Sequence, residues 1–503
     1  MAQIVLASSL LFSLWLIVQD IRRRKAVSMA VWVPTLLLMI LSSRHPQQWI
    51  TGGIVNVQEM GNDAASSPLD AGFFLLTILV SAAIAIFRGV RWLRIFASNK
   101  FLMALYLYFL VSAAWSGDPV GSIKRLFKDF GLIFVASVLF SENDPLDAIR
   151  AIYYRSAALL FPLSIVFTKY YPDYGRAYTV TGDMMFTGVT TQKNSLGEIV
   201  LFFTLFLLWD CLQPPQPRRV SKWIIAKWDR IALILIGLRL LQLSQSKTAM
   251  LCIIVGGALL LRGRWMITKP INRFAYVSAI SLPFLVFFSQ EFSSIIAPVV
   301  ESMGRNMTFT GRTDIWNQIT IKTVNPLLGA GYWNFWGGPG GYAISLAMRT
   351  VVPNAHCGYV DMYLDGGTIG LVLLFLMLTA YAALLTRQMS RTDDAQRYLR
   401  MRFVILIVAI IYNLSESTFF RIGPLWFTFL LMLITFPASA KPAKKVTVET
   451  PQKEAAPAPE YVSQFARLTA IVLRLPLATF SRSNAIAISA ANRTVPPAAP
   501  MCI

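Results

Sequence analysis

The chain has 503 residues, 55% of them hydrophobic and only 14% charged, and its mean hydropathy is +0.56. That is more apolar side chain than a soluble interior of this size can hide, which excludes a soluble globular fold and leaves an all-α, polytopic integral membrane protein. The formal net charge of +21 would suit a nucleic-acid binder in a soluble chain, but here the basic residues gather in short loops between apolar runs, so no nucleic-acid partner is expected.

The amino-terminal stretch "MAQIVLASSLLFSLWLIVQDIRRRK" carries its positive charges after the apolar run. That is the reverse of a secretory signal, and it reads as a retained first span. Hydropathy then predicts spans near 2–19, 27–42, 70–87, 101–115, 128–140, 149–167, 194–210, 230–244, 248–261, 274–289, 359–385, 403–418 and 423–437. Alternate connections are strongly basic: "RRRK" at 22–25, "RGVRWLR" at 88–94, "PRRVSKWIIAK" at 217–227, "RGRWMITKPINR" at 262–273, and Arg387 through Arg402. These are assigned to the cytoplasm, and the long, weakly charged connections 43–69, 168–193 and 290–358 to the exterior. The acidic loop "SENDPLDAIR" favours neither side. About 12–13 transmembrane helices result, with the carboxyl terminus inside and the amino terminus outside if the first span is counted.

Three regions follow: amino-terminal spans over 1–175, a second membrane region over 176–437 with its large exterior loop at 290–358, and a basic cytoplasmic tail over 438–503. In the tail, "KPAKKVTVETPQKEAAPAPE" has the composition of a disordered linker. The "YVSQFARLTAIVLRLPLATF" after it reads either as a basic amphipathic helix on the inner leaflet or as further disorder. Cys211, Cys252, Cys357 and Cys502 are scattered, with neither a disulfide framework nor zinc spacing.

The outer loop holds "NMTFTGRTDIWNQITIKTVNPLLGAGYWNFWGG". Thr310 or Thr313 is placed to cap a short helix near 313–323. Trp333, Phe335 and Trp336 read either as interfacial aromatics or as a sugar-stacking surface. If one helix runs on from residue 356, His356, Tyr363, Gly367 and Gly370 fall within an arc of roughly 60°, while Asp361 and Asp365 lie opposite and are poor partners for the histidine. Each mid-helix glycine costs up to about 1 kcal/mol against alanine, which points to a close approach by another helix or a substrate.

His356 and Cys357, followed by Gly367 and Gly370, resemble the signature of the O-antigen ligases and related polysaccharide polymerases. "TQKNSLGEIVLFF" at 191–203, "SQSKTAML" at 244–251, and "GRTDIW" followed by "NPLLGAGYWNF" resemble further segments of that family, in the family's order. Two departures stand out: Cys357 replaces the usual Asn, Ser or Gln, and Lys247 stands where arginine is common, which keeps the charge without the bidentate fork. The resemblance implies transfer of a glycan from an undecaprenyl-diphosphate carrier to a sugar hydroxyl, outside the bacterial inner membrane and with inversion at the anomeric carbon. The acceptor would be a growing glycan, in a polymerase, or lipid A-core, in a ligase. The histidine signature has the ligase form, so the reading leans slightly to a ligase, with polymerisation close behind.

The chemistry fits these residues. An acceptor hydroxyl needs a base near neutral pH, for which His356 is suited. The departing diphosphate needs cations, for which Lys193, Lys247 and Arg312 are the exterior candidates, with Arg176 and Arg305 behind them. Asn194, Trp316, Gly367 and Gly370 join them as substrate-binding positions implied by the motifs. No metal and no cofactor is expected, since no outward His and carboxylate cluster has ligand spacing. Membrane lipid is an expected partner, and a flippase and a chain-length regulator are candidate protein partners. Charges within spans invite a functional reading by default: Glu198, Arg239 and Glu416 are such positions, with a buried Glu198–Arg239 pair as the structural alternative. Arg155 and Arg421 are expected to snorkel or anchor. The rival class is a transporter or flippase of lipid-linked oligosaccharide, which would show internal repeats and paired broken helices; the sequence shows no repeat. A membrane scaffold would give His356 no chemical task.

Overall fold

The computed structural model describes residues 1–51, 67–178, 182–213, 220–261, 315–316, 318–319, 324–389 and 396–436. Residues 1–215 and 227–443 group into one compact unit. The expected span at 274–289, Arg305, Arg312 and the tail lie outside the described residues.

The described chain is almost wholly helical. In order come α1 (Ala2–Arg23), a 3-10 turn (Met29–Val31), α2 (Trp32–Leu41), α3 (Pro46–Ile50), α4 (Pro68–Phe87), α5 (Trp92–Ser98), α6 (Lys100–Ser112), α7 (Pro119–Phe140) and α8 (Pro145–Tyr170). The short α9 (Pro172–Gly175) leads into an antiparallel hairpin, β1 (Arg176–Tyr178) and β2 (Met184–Phe186), with Ala177 opposite Met185. Then come α10 (Lys193–Cys211), α11 (Val220–Ser244), α12 (Lys247–Leu261), α13 (Pro339–Ala347), α14 (Gly358–Met389), α15 (Gln396–Tyr412) and α16 (Pro424–Leu433). Every expected span within the described residues therefore has a helix. Five of these are long and apolar enough to cross a bilayer, and a sixth crossing results if α5 and α6, bent by 97°, count as one. Hydropathy did not anticipate α3, α5, α13 or the hairpin.

Several helices start on a cap followed by proline. Asp118 accepts from Gly121 N at 2.9 Å ahead of Pro119, and Asp144 accepts from Leu146 N and Asp147 N at 3.0 Å ahead of Pro145. A short polar acceptor satisfies an orphan donor, and proline lacks the N–H that would have been left unpaired.

Burial grades from rim to centre. The apolar window of α8 is 83% buried and that of α10 78%, against 22% for α1 and 33% for α4. The outer pair leave Leu11, Leu14, Leu76 and Leu79 exposed, as lipid contact requires. α1 packs on α8, α4 on α7, α10 on α12, and α12 on α15.

At one end the helices are tied by buried charge. Asp20 of α1 accepts from Arg24 Nε at 2.7 Å and Arg155 Nε at 2.9 Å, and Arg24 also reaches Asp147 at 2.8 Å and Asp210 at 3.1 Å. Arg155 is thus a buried partner of Asp20, stacked 5.1 Å over Trp32, rather than a snorkelling anchor. Its acidic partner, four residues ahead of Arg24, lies inside the apolar run, where the hydropathy average hides it. Glu142 accepts from Ser28 N at 2.9 Å and Ser28 Oγ at 2.6 Å, and pairs with Arg88. Burial pushes its carboxyl upward, but the Ser28 hydrogen bonds and Arg88 outweigh that and hold it below the ordinary glutamate value.

Candidate active site

The loop "NPLLGAG" and the start of α14 make one backbone unit. α14 is broken at Gly367, whose φ of 60° and ψ of −161° lie in a region open essentially to glycine alone. Across the break, Thr368 N donates to Pro326 O at 2.8 Å and Ile369 N to Leu327 O at 3.2 Å. Ala330 N donates to Leu364 O at 2.8 Å and Gly331 N to Asp365 O at 3.0 Å. The loop supplies the partners that the broken helix lacks. A Cβ on Gly367 would stand 2.3 Å from the Leu327 carbonyl carbon, whereas one on Gly370 would meet nothing closer than 3.5 Å. The continuous helix from residue 356 is therefore not formed, and the arc drawn from it does not exist. The close approach anticipated at Gly367 is that of a loop backbone.

His356 stands just ahead of α14 with a φ of 50°, left-handed for a side chain with a Cβ, a conformation that costs roughly 1–2 kcal/mol. The surroundings hold it there. Asn354 Oδ1 accepts from His356 N at 2.9 Å, and Trp316 Nε1 donates to Ala355 O at 2.9 Å. Gly358 N donates to Asn413 O at 2.9 Å and Glu416 O at 3.0 Å, docking the head of α14 on the turn after α15. His356 Nδ1 faces Glu416 Oε2 at 3.6 Å. The side chain is 29% exposed while Nδ1 is buried, so the open edge of the ring is the one away from Glu416.

Glu416 organises more than the histidine. Its Oε1 accepts from Asn194 Nδ2 at 3.0 Å, and Ser415 Oγ shares a hydrogen bond of 2.6 Å with Thr248 Oγ1. Asn194 and Thr248 follow Lys193 and Lys247, the first residues of α10 and α12. Those two helices meet where a Cβ on Gly197 would stand 2.5 Å from Ser246 Cβ, so glycine sets their approach. Three segments far apart in sequence thus converge on the 413–416 turn: the head of α14 beside His356, and the amino ends of α10 and α12, which begin at Lys193 and Lys247. The amino ends of α10 and α12 add partial positive charge of their own.

Beside this cluster lies a buried lock. Arg421 Nη2 pairs with Asp365 Oδ2 at 2.7 Å, stands 3.8 Å from Asp361 Oδ2, and stacks 5.0 Å over Trp333. Burial works against its charge, but Asp365 and then Asp361 more than offset that and raise its pKa above the ordinary arginine value. Breaking such a pair from one side typically costs about 3–5 kcal/mol. Arg421 is thus no surface anchor. Asp361 Oδ1 also accepts from Trp336 Nε1 at 2.8 Å and Ala355 N at 3.0 Å, which ties the lock to the residue before His356. Phe335 and Trp336 are buried, so they are neither belt aromatics nor an open sugar platform.

The other intramembrane charges are placed differently from the structural alternative. Glu198 accepts from Leu425 N at 3.1 Å at the head of α16, while Arg239 is exposed and reaches Gln242 at 3.2 Å. The two do not pair, because Arg239 lies on an outer face of α11 while Glu198 points toward α16. Glu416 stands in the turn beyond α15 rather than inside a helix. Sequence reading missed Ser415, Thr248 and the role of Arg421. The available signal was Asp361 and Asp365 four apart, which sets both carboxylates on one helix face in want of a cation. Of the proposed helix near 313–323, the described part shows Ile319 N donating to Ile315 O at 3.1 Å.

Comparison with known proteins bears on the class of the chain. A family model described as O-antigen ligase matches residues 231–375, from α11 past the break in α14. Over 364 residues the chain is 22% identical to "Exopolysaccharide production protein ExoQ" of Rhizobium meliloti (strain 1021), covering 69% of this chain and 80% of that protein. Both support a polysaccharide ligase- or polymerase-type role for this multi-pass membrane protein.

Proposed function

We propose that the protein transfers a glycan from an undecaprenyl-diphosphate carrier to a sugar hydroxyl at the outer, periplasmic face of the bacterial inner membrane. The observation that carries this reading is the convergence on one turn of the His356–Glu416 pair and the amino ends of α10 and α12, which begin at Lys193 and Lys247. In the reaction the open edge of the His356 imidazole takes the proton of the acceptor hydroxyl. The acceptor oxygen attacks the anomeric carbon from the side opposite the diphosphate, the C–O bond to the carrier breaks, and undecaprenyl diphosphate leaves with the bonding electrons. Lys193, Lys247 and the adjoining helix ends meet the charge that grows on it. Glu416 orients the ring and stabilises the imidazolium that forms, and Arg312 remains a further candidate cation.

The relative is named for exopolysaccharide production, which favours a growing lipid-linked chain as acceptor; lipid A-core is the ligase alternative within the same chemistry. The test is transfer from a purified lipid-linked donor in proteoliposomes, offered each acceptor in turn. His356→Ala should lose about 10²–10⁴-fold in rate, and Lys193→Ala with Lys247→Ala should weaken donor use. Undiminished transfer by the histidine variant removes the base from the mechanism.

A further inference from the structure

A second charged feature lies at the far end of α14. From Gly367 to Arg387 that helix rises about 30 Å, the thickness of a bilayer core. Its last turns and the corner between α5 and α6 border a half-open cavity of about 290 Å³, lined by Asn99, Lys100, Leu102, Met377, Ala383 and Arg387 among others.

The corner is rigid. Asn99 Nδ2 donates to Ile95 O at 2.7 Å and Thr435 O at 3.0 Å, and its Oδ1 accepts from Thr435 N at 2.9 Å and Tyr381 OH at 3.1 Å. With the amide fully used, the charged groups left at the cavity are Lys100 and Arg387, both exposed. Neither meets a carboxylate among the described residues. Arg91 and Arg94, also exposed, stand on or beside α5, whose Leu93 is 83% exposed. A short helix turned through 97° from the next, basic and apolar at once, fits the headgroup layer of a membrane. Further along α6 and α14, Leu107 and Leu376 face outward, about 10 and 16 Å from the two cations by helical rise. Acyl chains of a lipid held at the cavity would run over them.

We propose that this cavity binds the phosphate headgroup of an anionic phospholipid, with its acyl chains along α6 and α14. Assigning it to the inner leaflet rests on the outward placement of His356 proposed above; the binding itself does not.

Native mass spectrometry of the full-length protein, titrated with phosphatidylglycerol, cardiolipin or phosphatidylcholine, tests the site. The wild type should retain the two anionic lipids over phosphatidylcholine. Lys100→Ala with Arg387→Ala should lower that retention by about tenfold or more, taking each cation's typical attraction to an anionic lipid surface. Ala383→Trp, which fills the cavity from its exposed side and keeps both charges, should lower it as well, and so stands in if the double variant does not fold. Arg22→Ala with Lys25→Ala, the same charge removed elsewhere on the surface, should leave it unchanged. Equal retention of phosphatidylcholine overturns the site, as does an equal loss in the Arg22 and Lys25 variant. So does competition by free inorganic phosphate at the lipid's own concentration, which would make it a pocket for small anions. Glycan transfer is not read at any step, so the outcome is independent of the proposed reaction.

Discussion

His356 Nδ1 and Glu416 Oε2 stand 3.6 Å apart across 60 positions of sequence, the one ahead of α14 and the other beyond α15. That distance is long for a hydrogen bond but short enough for a carboxylate to orient an imidazole and stabilise its cation. Asn194 holds the other oxygen of the same carboxylate, so its direction is fixed from a third helix.

If Glu416 works through the histidine, Glu416→Gln should slow transfer at least about tenfold in kcat with little change in KM. Combining it with His356→Ala should cost no more than His356→Ala alone, because the two act as a unit. Additive losses in that cycle would separate Glu416 from the imidazole and leave it a role of its own.

The broken helix makes a sharper claim about two glycines. Gly367→Ala places a Cβ 2.3 Å from the Leu327 backbone at a φ of 60°, which should destabilise the protein by about 2–4 kcal/mol from backbone strain and overpacking together. Gly370→Ala meets only ordinary contacts at 3.5 Å and should leave thermal unfolding unchanged or slightly improved. Similar melting temperatures for both would reject the backbone pairing drawn across the break.

Stability should also carry the mark of Glu142. Its folded carboxyl lies below the ordinary value of 4.5, so the unfolded chain binds the proton more readily. The Ser28 and Arg88 contacts therefore stabilise above about pH 4.5 and fade as pH falls through the folded value. Wild type should melt higher than Glu142→Gln at neutral pH, and the gap should narrow as the pH is lowered from 5 toward 3. A gap that stays constant over that window excludes the linkage.

Much was legible from the order of residues alone. Apolar runs of bilayer length can be satisfied only as helices in lipid, so composition and hydropathy sufficed for the all-α membrane class and for most helix positions. Basic loops and the family-like spacing around His356, Lys193 and Lys247 are local patterns, and a local pattern survives in one dimension. What lay beyond reach was long-range pairing. Nothing near His356 in sequence announces Glu416, and nothing near Asp365 announces Arg421, because the partner is chosen by which helix ends the packing brings together. The break at Gly367 belongs to the same class. Periodicity continues straight through it, and only the arrival of the 325–331 backbone, which satisfies the freed amides, makes an unwound turn cheaper than an intact one.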